Sequence, residues 1–211
     1  VDNDWFSGEA AKARLVRAQL RRAWGIPAES IVFLFVGKFQ DYKRPMDVLL
    51  AAKRLVAQGL TVNQFLILMV GDGVLRRPCE AYARDHSLPV VFKGFMNQSQ
   101  LPSAYAVSDT LILPSNGHET WGLVVNEAMA CGLAAIVSNE VGCGPDLILE
   151  ARTGFVYPIG NIHALSGAMR RLLSSGERTR MGDNARRHVA SYSVKSAAGV
   201  LVEAVESIHR G

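Results

Sequence analysis

Two uninterrupted apolar runs, IVFLFVG at residues 31–37 and QFLILMVG at 64–71, set the tightest limit on what this chain can fold into. Both have the length of a strand and fall well short of the roughly 18 apolar residues of a membrane span. Neither alternates polar with apolar, so a strand made of either has no side to show to water. Strands of that kind are buried on both faces, as in parallel sheets covered by helices. The pattern continues with strand-like segments at 90–94, 109–115, 134–139 and 153–158, separated by helix-like stretches. The stretch 44–59 has Pro45 near its start and Gly59 just past its end, and the stretch 121–132 is closed by Gly132. The expected fold is α/β, a doubly wound parallel six-stranded sheet in the order 3-2-1-4-5-6. Three helical segments follow the last strand. In the final one Val194, Ala198, Leu201, Val205 and Ile208 fall at spacings of four and three, an apolar stripe along one side.

Composition narrows the class without naming a function. The chain has 211 residues, 49% hydrophobic and 20% charged, enough for one soluble globular domain. Its net charge of +4 suits an anionic ligand. Basic residues never form a dense stripe with aromatics, which argues against nucleic acid. The nearest basic cluster, Lys12, Arg14, Arg17, Arg21 and Arg22, reads as a solvated helix face. The three cysteines, Cys79, Cys131 and Cys143, lack metal-site spacing and read as buried free thiols in a reducing compartment. The opening VDNDWF is polar and acidic, unlike a secretory signal, and with no initiator Met it is expected to be the start of a fragment or a processed product. A cytoplasmic location, or the cytoplasmic face of a membrane, follows.

In doubly wound sheets ligands bind beyond the carboxyl ends of the strands, so the strand ends carry the search. The first strand ends in Gly37-Lys38-Phe39, and Lys43 follows in the same loop. Glycine admits close backbone approach, and two ammonium groups beside a helix N-terminus suit a diphosphate. Taken alone, the loop is better read as two solvated lysines. The second strand ends in Gly71-Asp72-Gly73, but Arg76 stands where a dinucleotide fingerprint needs its third glycine. The fourth strand leads to Glu119 just ahead of a helix, with Glu127 inside it eight residues on. The amides of Trp121, Gly122 and Leu123 would be free at that helix start and attract phosphate. A carboxylate accepting two hydrogen bonds at once makes Glu127 suited to a vicinal diol such as ribose. Two glutamates alone do not outweigh the plain alternative of one residue favoured by the helix dipole and one exposed on the helix.

The assembly of motifs resembles the retaining GT-B glycosyltransferases of family 4, also called group 1. The pieces run in the family's order: G-K-F-x-x-x-K from Gly37 to Lys43, V-G-D-G, F-K-G-F, A-Y-A-V-S-D-T-L-I-L-P-S, E-x7-E from Glu119 to Glu127, E-A-M-A-C-G and T-G-F-V. The E-x7-E segment is the specific one. The resemblance implies that Lys38 and Lys43 contact the donor diphosphate, with Gly37 beside them. It implies that Glu127 binds ribose hydroxyls and that Glu119, with Lys43 the catalytic residue, holds the transferred sugar. Gly94, Phe95 and Met96 would flank the base, and Trp121, Gly122 and Leu123 would offer amides. Lys38 replaces a more usual Arg, Arg44-Pro45 a usual Gly, and Leu133-Ala134 a usual Pro-Val.

The chain looks like the C-terminal half of such an enzyme, with residues 1–8 a linker remnant and 9–211 the nucleotide-sugar-binding domain. The partners implied are an NDP-sugar donor and, through the missing N-terminal domain, an acceptor glycan or lipid and any membrane contact. No cofactor and no metal are expected. The apolar stripe of the last helix is expected to be exposed for the missing half or for self-association. A nucleotide-sugar epimerase of the same fold and a non-catalytic nucleotide-binding module are the alternatives. Asp2-Asn3-Asp4 spells the D-x-D of the other glycosyltransferase fold, but at the chain's start it reads as chance. His118 reads as a loop residue without a role, and His86, His163, His188 and His209 as exposed.

Overall fold

The computed structural model describes residues 1–209. Its centre is a six-stranded, all-parallel sheet in the order β3-β2-β1-β4-β5-β6, the expected doubly wound order. The strands are β1 (Ile31–Val36), β2 (Phe65–Val70), β3 (Val90–Gly94), β4 (Thr110–Leu113), β5 (Ala134–Ser138) and β6 (Gly154–Tyr157). The helices are α1 (Asn3–Leu15), α2 (Arg17–Ala23), α3 (Pro45–Ala57), α4 (Arg76–Asp85), α5 (Leu101–Val107), α6 (Leu123–Ala130), α7 (Gly144–Leu147), α8 (Ile162–Arg171), α9 (Ser175–Val189) and α10 (Val194–His209).

The two apolar runs behave as their composition requires. Strand side chains alternate between faces, so Val32, Leu34 and Val36 join one core cluster while Phe33 and Phe35 join the other. Helices α1, α5, α6 and α7 cover the first face, and α3, α4 and α8 the second. From β1 the sheet grows through α3 to β2 and through α4 to β3. The chain then returns through α5 to β4 on the far side of β1 and grows the other way. The helices after β1 and β4 therefore leave on opposite faces, and their loops part at the carboxyl edge.

Residues 1–8, expected as a linker remnant, are helical from Asn3 onward. Phe6 is buried edge-on against Tyr105, and Asn3 donates to the Val189 carbonyl at 2.8 Å. Asp2 caps α1 by accepting from the Trp5 amide, so a carboxylate of the D-x-D sequence serves as a helix cap. The basic cluster is the solvated face expected only in part: Lys12, Arg14 and Arg22 are exposed, Arg17 and Arg21 are not. Arg21 is 5% exposed; it and Arg17 pair with Asp109 at 2.8 Å, while both donate to the Val107 carbonyl at the end of α5. Arg14 donates to the Cys131 carbonyl at the end of α6, and Arg178 to the Leu172 and Leu173 carbonyls at the end of α8. Only Lys12 and Arg22 of the five expected cations are free of the core, Lys12 pairing with Glu9 on the surface.

Asp109 also accepts from the Val32 amide at 2.8 Å, so one carboxylate joins α2, β1 and the approach to β4. Removing it leaves Arg21 buried and unpaired. Asp109→Ala is expected to cost about 3 kcal/mol of stability, and Lys12→Ala less than about 0.5 kcal/mol. Urea unfolding of the two variants checks this through the midpoint at constant slope.

Candidate functional site

The site is built where the loops after β1 and β4 part. Gly71, at the end of β2, has φ +132°, and a Cβ there would stand 1.9 Å from the Gly37 carbonyl oxygen. Only glycine lets these two strand ends close up. Phe39 follows and is fully buried, 5.5 Å from the Phe35 ring and 6.2 Å from Phe92. Its burial pins the loop and leaves the neighbouring Lys38 exposed, with no ion pair among the described residues.

A single 3-10 turn, Asp41–Lys43, then brings Lys43 across to the loop after β4. Its ammonium forms an ion pair with Glu119 Oε2, each side chain 14% exposed. The Ser115 hydroxyl donates to the same oxygen at 3.1 Å, and the Asn116 amide donates to the Tyr42 carbonyl at 2.8 Å. The two loops are thus joined by main chain as well as by charge. Beside them, Gly37, Lys38, Gly71, Asp72, Phe95 and Met96 line a cleft of about 400 Å3. Phe95 is 76% exposed at its mouth, and Gly94, with φ +66°, turns the chain there.

Helix α6 begins at the same edge. Gly122 precedes it at φ +101°, where a Cβ would meet Leu113 at 2.9 Å. The amides of Trp121, Gly122, Leu123 and Val124 have no hydrogen-bond partner among the described residues. Trp121 is fixed by its indole N–H donating to Asn126 at 2.7 Å. Glu127, one turn beyond Leu123, accepts from the Tyr105 hydroxyl at 2.6 Å. The structure thus joins Lys43 to Glu119 and gathers Gly37, Lys38, Phe95 and Met96 in one cleft. No contact among the described residues ties Glu127 to either group.

A second, more apolar cavity of about 550 Å3 lies between Trp121 and Leu123 on one side and Tyr192, Val194, Ala197 and Val200 on the other. Of the expected stripe on α10, Val194 is 60% and Val205 48% exposed, while the Leu201 and Ile208 side chains lie outside the described residues. His118 is exposed and bonds Asn116 at 3.1 Å. His163 is exposed, but His86 and His188 are half-buried against Tyr82 and Tyr192; the His209 side chain lies outside the described residues. Among the described residues, no three His, Cys, Asp or Glu side chains are grouped to hold a metal, and no helix is long and apolar enough to cross a membrane. All three cysteines are buried and unpaired, and burial pushes Cys131 and Cys143 up to about 12.

Comparison with known proteins meets this geometry. The family described as Glycosyl transferases group 1 matches residues 16–188. The chain belongs to that family. It is 31% identical over 177 residues to N-acetyl-alpha-D-glucosaminyl L-malate synthase of Bacillus anthracis, covering 81% of this chain and 44% of that protein. The fold matches the C-terminal domain of the group 1 glycosyl transferase LpcC from Francisella tularensis (TM-score 0.74, 20% identity, 84% of this chain and 93% of that one). It also matches HepE from Anabaena, solved with UDP and glucose (TM-score 0.77, 19% identity, 98% of this chain and 55% of that one). The sheet is that of the C-terminal half of a GT-B fold, and the chain spans about half the length of the curated relatives it matches.

In this group 1 domain, sequence reasoning missed Ser115 and Tyr105 as partners of the two glutamates. Ser115 was detectable as the polar residue closing an apolar strand. Tyr105 carried no signal of its own, because its place within an apolar helix marks it as core. Burial pushes the Glu127 carboxyl above its usual range, and the Tyr105 hydrogen bond opposes that rise. A carboxyl raised in the folded state binds its proton more tightly there than in the unfolded chain. Its favourable contribution is therefore complete below the ordinary value of 4.5 and lost as pH rises through the folded value. The stability of the domain relative to its Glu127→Gln variant should fall as pH climbs above 4.5 and then level off, as denaturant unfolding at a series of pH values would read.

Proposed function

We propose that this chain is the nucleotide-sugar-binding half of a retaining glycosyltransferase that moves a hexosyl group from an NDP-sugar to a glycan or lipid acceptor, as in polysaccharide biosynthesis. The observation that carries the reading is the Lys43–Glu119 pair spanning the gap between the loops after β1 and β4, with free α6 amides beside it. A diphosphate needs cations and N–H donors, and a sugar hydroxyl needs a carboxylate next to them. The pair offers the first cation and that carboxylate, while Lys38 adds a cation and Phe95 with Met96 a flat apolar lip for a base. HepE, of the same fold, was solved with UDP and glucose, which agrees with a nucleotide-sugar donor. The charges present can offset a diphosphate without an ion, so donor binding is expected to be independent of divalent metal. Three buried unpaired thiols suit a reducing, cytoplasmic compartment. The missing half, which carries the acceptor site and any membrane contact, is expected to cover the valine side chains exposed on α10. Self-association is their second use.

In this reading Lys43 attracts the leaving diphosphate most strongly as its charge develops, an electrostatic contribution largest in the transition state. Glu119 holds the sugar near its anomeric carbon. Transfer also needs an acceptor positioned and water excluded, worth ~7–11 kcal/mol of barrier by the effective-molarity argument. The chain alone is therefore expected to bind the donor without transferring its sugar. Calorimetric titration with UDP-, GDP- and ADP-glucose should show one tight donor whose affinity EDTA leaves unchanged. Loss of a charge-assisted contact should weaken that donor roughly tenfold or more in Lys43→Ala. Equal binding by Lys43→Ala, or sugar transfer by the 211-residue chain alone, overturns the assignment.

A further inference from the structure

Glu127, the expected ribose contact, is held from behind by a buried phenol. Its Oε2 accepts from the Tyr105 hydroxyl at 2.6 Å, and its Oε1 has no hydrogen-bond partner among the described residues. Tyr105 is fully buried on α5, its ring 6.0 Å from Phe6 of α1 in an edge-to-face contact, so the phenol has little freedom to turn. The end of α5 is fixed in turn by Arg17 and Arg21 through the Val107 carbonyl. A rigid chain of contacts therefore runs from the amino-terminal helices to one carboxylate oxygen.

We propose that Tyr105 is a positioning residue for the donor: its hydroxyl holds the Glu127 carboxylate in one orientation, leaving Oε1 and the second lone pair of Oε2 to accept from a vicinal diol. This rests on the reading of Glu127 as a donor contact. A carboxylate bonded at one oxygen has lost its rotational freedom before the ligand arrives, which reduces the ordering cost of binding. The bond also favours the charged form. Burial raises the Glu127 carboxyl and the phenol opposes the rise, while burial and Glu127 itself hold Tyr105 in its protonated, donating state. The other titratable groups facing Glu127 are the Val1 amino group and Cys131, whose thiol burial keeps neutral. Both stay in place when Tyr105 is changed.

Tyr105→Phe keeps the ring and its contact with Phe6 and removes only the hydroxyl. Two measurements on the 211-residue chain decide. The first is the titration midpoint of the Glu127 side-chain carboxyl by carbon-13 NMR, assigned with Glu127→Gln. The second is the pH dependence of UDP-, GDP- and ADP-glucose binding by calorimetry. In Tyr105→Phe the midpoint is expected to move upward. The affinity for the best of the three donors should fall about tenfold, the weight of one hydrogen bond to a charged group. The pH below which binding is lost should rise with the midpoint. A purely packing role moves neither the midpoint nor the pH profile, so unchanged values overturn the proposal. The reading beneath it fails separately: Glu127→Gln binding every donor as well as the parent chain removes Glu127 from the site whatever Tyr105→Phe does.

Discussion

The position of β1 between β2 and β4 is the constraint on which the rest of this structure depends. A parallel sheet that grows both ways from one strand sends the following helices to opposite faces, since each crossover keeps the same hand. Here α3 leaves β1 on one face and α6 follows β4 on the other. The gap between their loops is not occupied by sheet or helix, and it is bridged by Lys43 and Glu119 together with the Asn116–Tyr42 main-chain bond. Glycines at 71 and 122 are what allow the edge to close to this degree. At each, a side chain would run into a neighbour, at Gly71 the Gly37 backbone and at Gly122 the Leu113 side chain.

The same arrangement fixes the opposite edge. Helices that run against the strands bring their N-termini to the carboxyl edge and their C-termini to the amino edge. Three of those C-termini receive arginine: α5 from Arg17 and Arg21, α6 from Arg14, α8 from Arg178. Arg14, Arg17 and Arg21 of the amino-terminal helices are thus matched by carbonyls and by Asp109. Part of the chain's positive charge therefore serves the fold. On the proposed reading the cations that meet the ligand are Lys38 and Lys43 at the other edge.

These two edges explain what could be read in advance. All six strands and their order were legible because a run such as IVFLFV leaves no alternative to burial on both faces, and crossover handedness does the rest. That the loops carrying Lys43 and Glu119 meet was legible from strand ends that the topology makes neighbours, whereas the ion pair between them was not. The start of α1 was not legible, because Trp5, Phe6 and Ala10 stand among polar residues in a pattern too sparse to separate from a linker. Arg21 looked like surface for a related reason. A charge is buried only when its partner lies close, and Asp109 is 88 residues away in sequence. Tyr105 failed likewise: an aromatic residue in an apolar helix is core by default, and only the fold reveals that its hydroxyl meets Glu127.

The two glutamates end up in different physical states, and the difference follows from their supports. Glu119 sits on a loop and is held by a cation and a hydroxyl, Lys43 and Ser115. Glu127 sits within a helix against core, where burial disfavours its charge and one phenol partly offsets the loss. On the proposed reading a donor diphosphate competes with Glu119 for Lys43, so binding exchanges one anion for another around a cation already in place. At Glu127 there is nothing to displace. A diol arriving there supplies hydrogen bonds that the carboxylate lacks in the free domain, and the charge that folding disfavours becomes the one that binding rewards. Strain of this kind is expected where a fold holds a group for a ligand and not for itself. On that reading it accounts for a half-buried carboxylate in a helix otherwise made of Leu, Val, Ala, Met and one Asn.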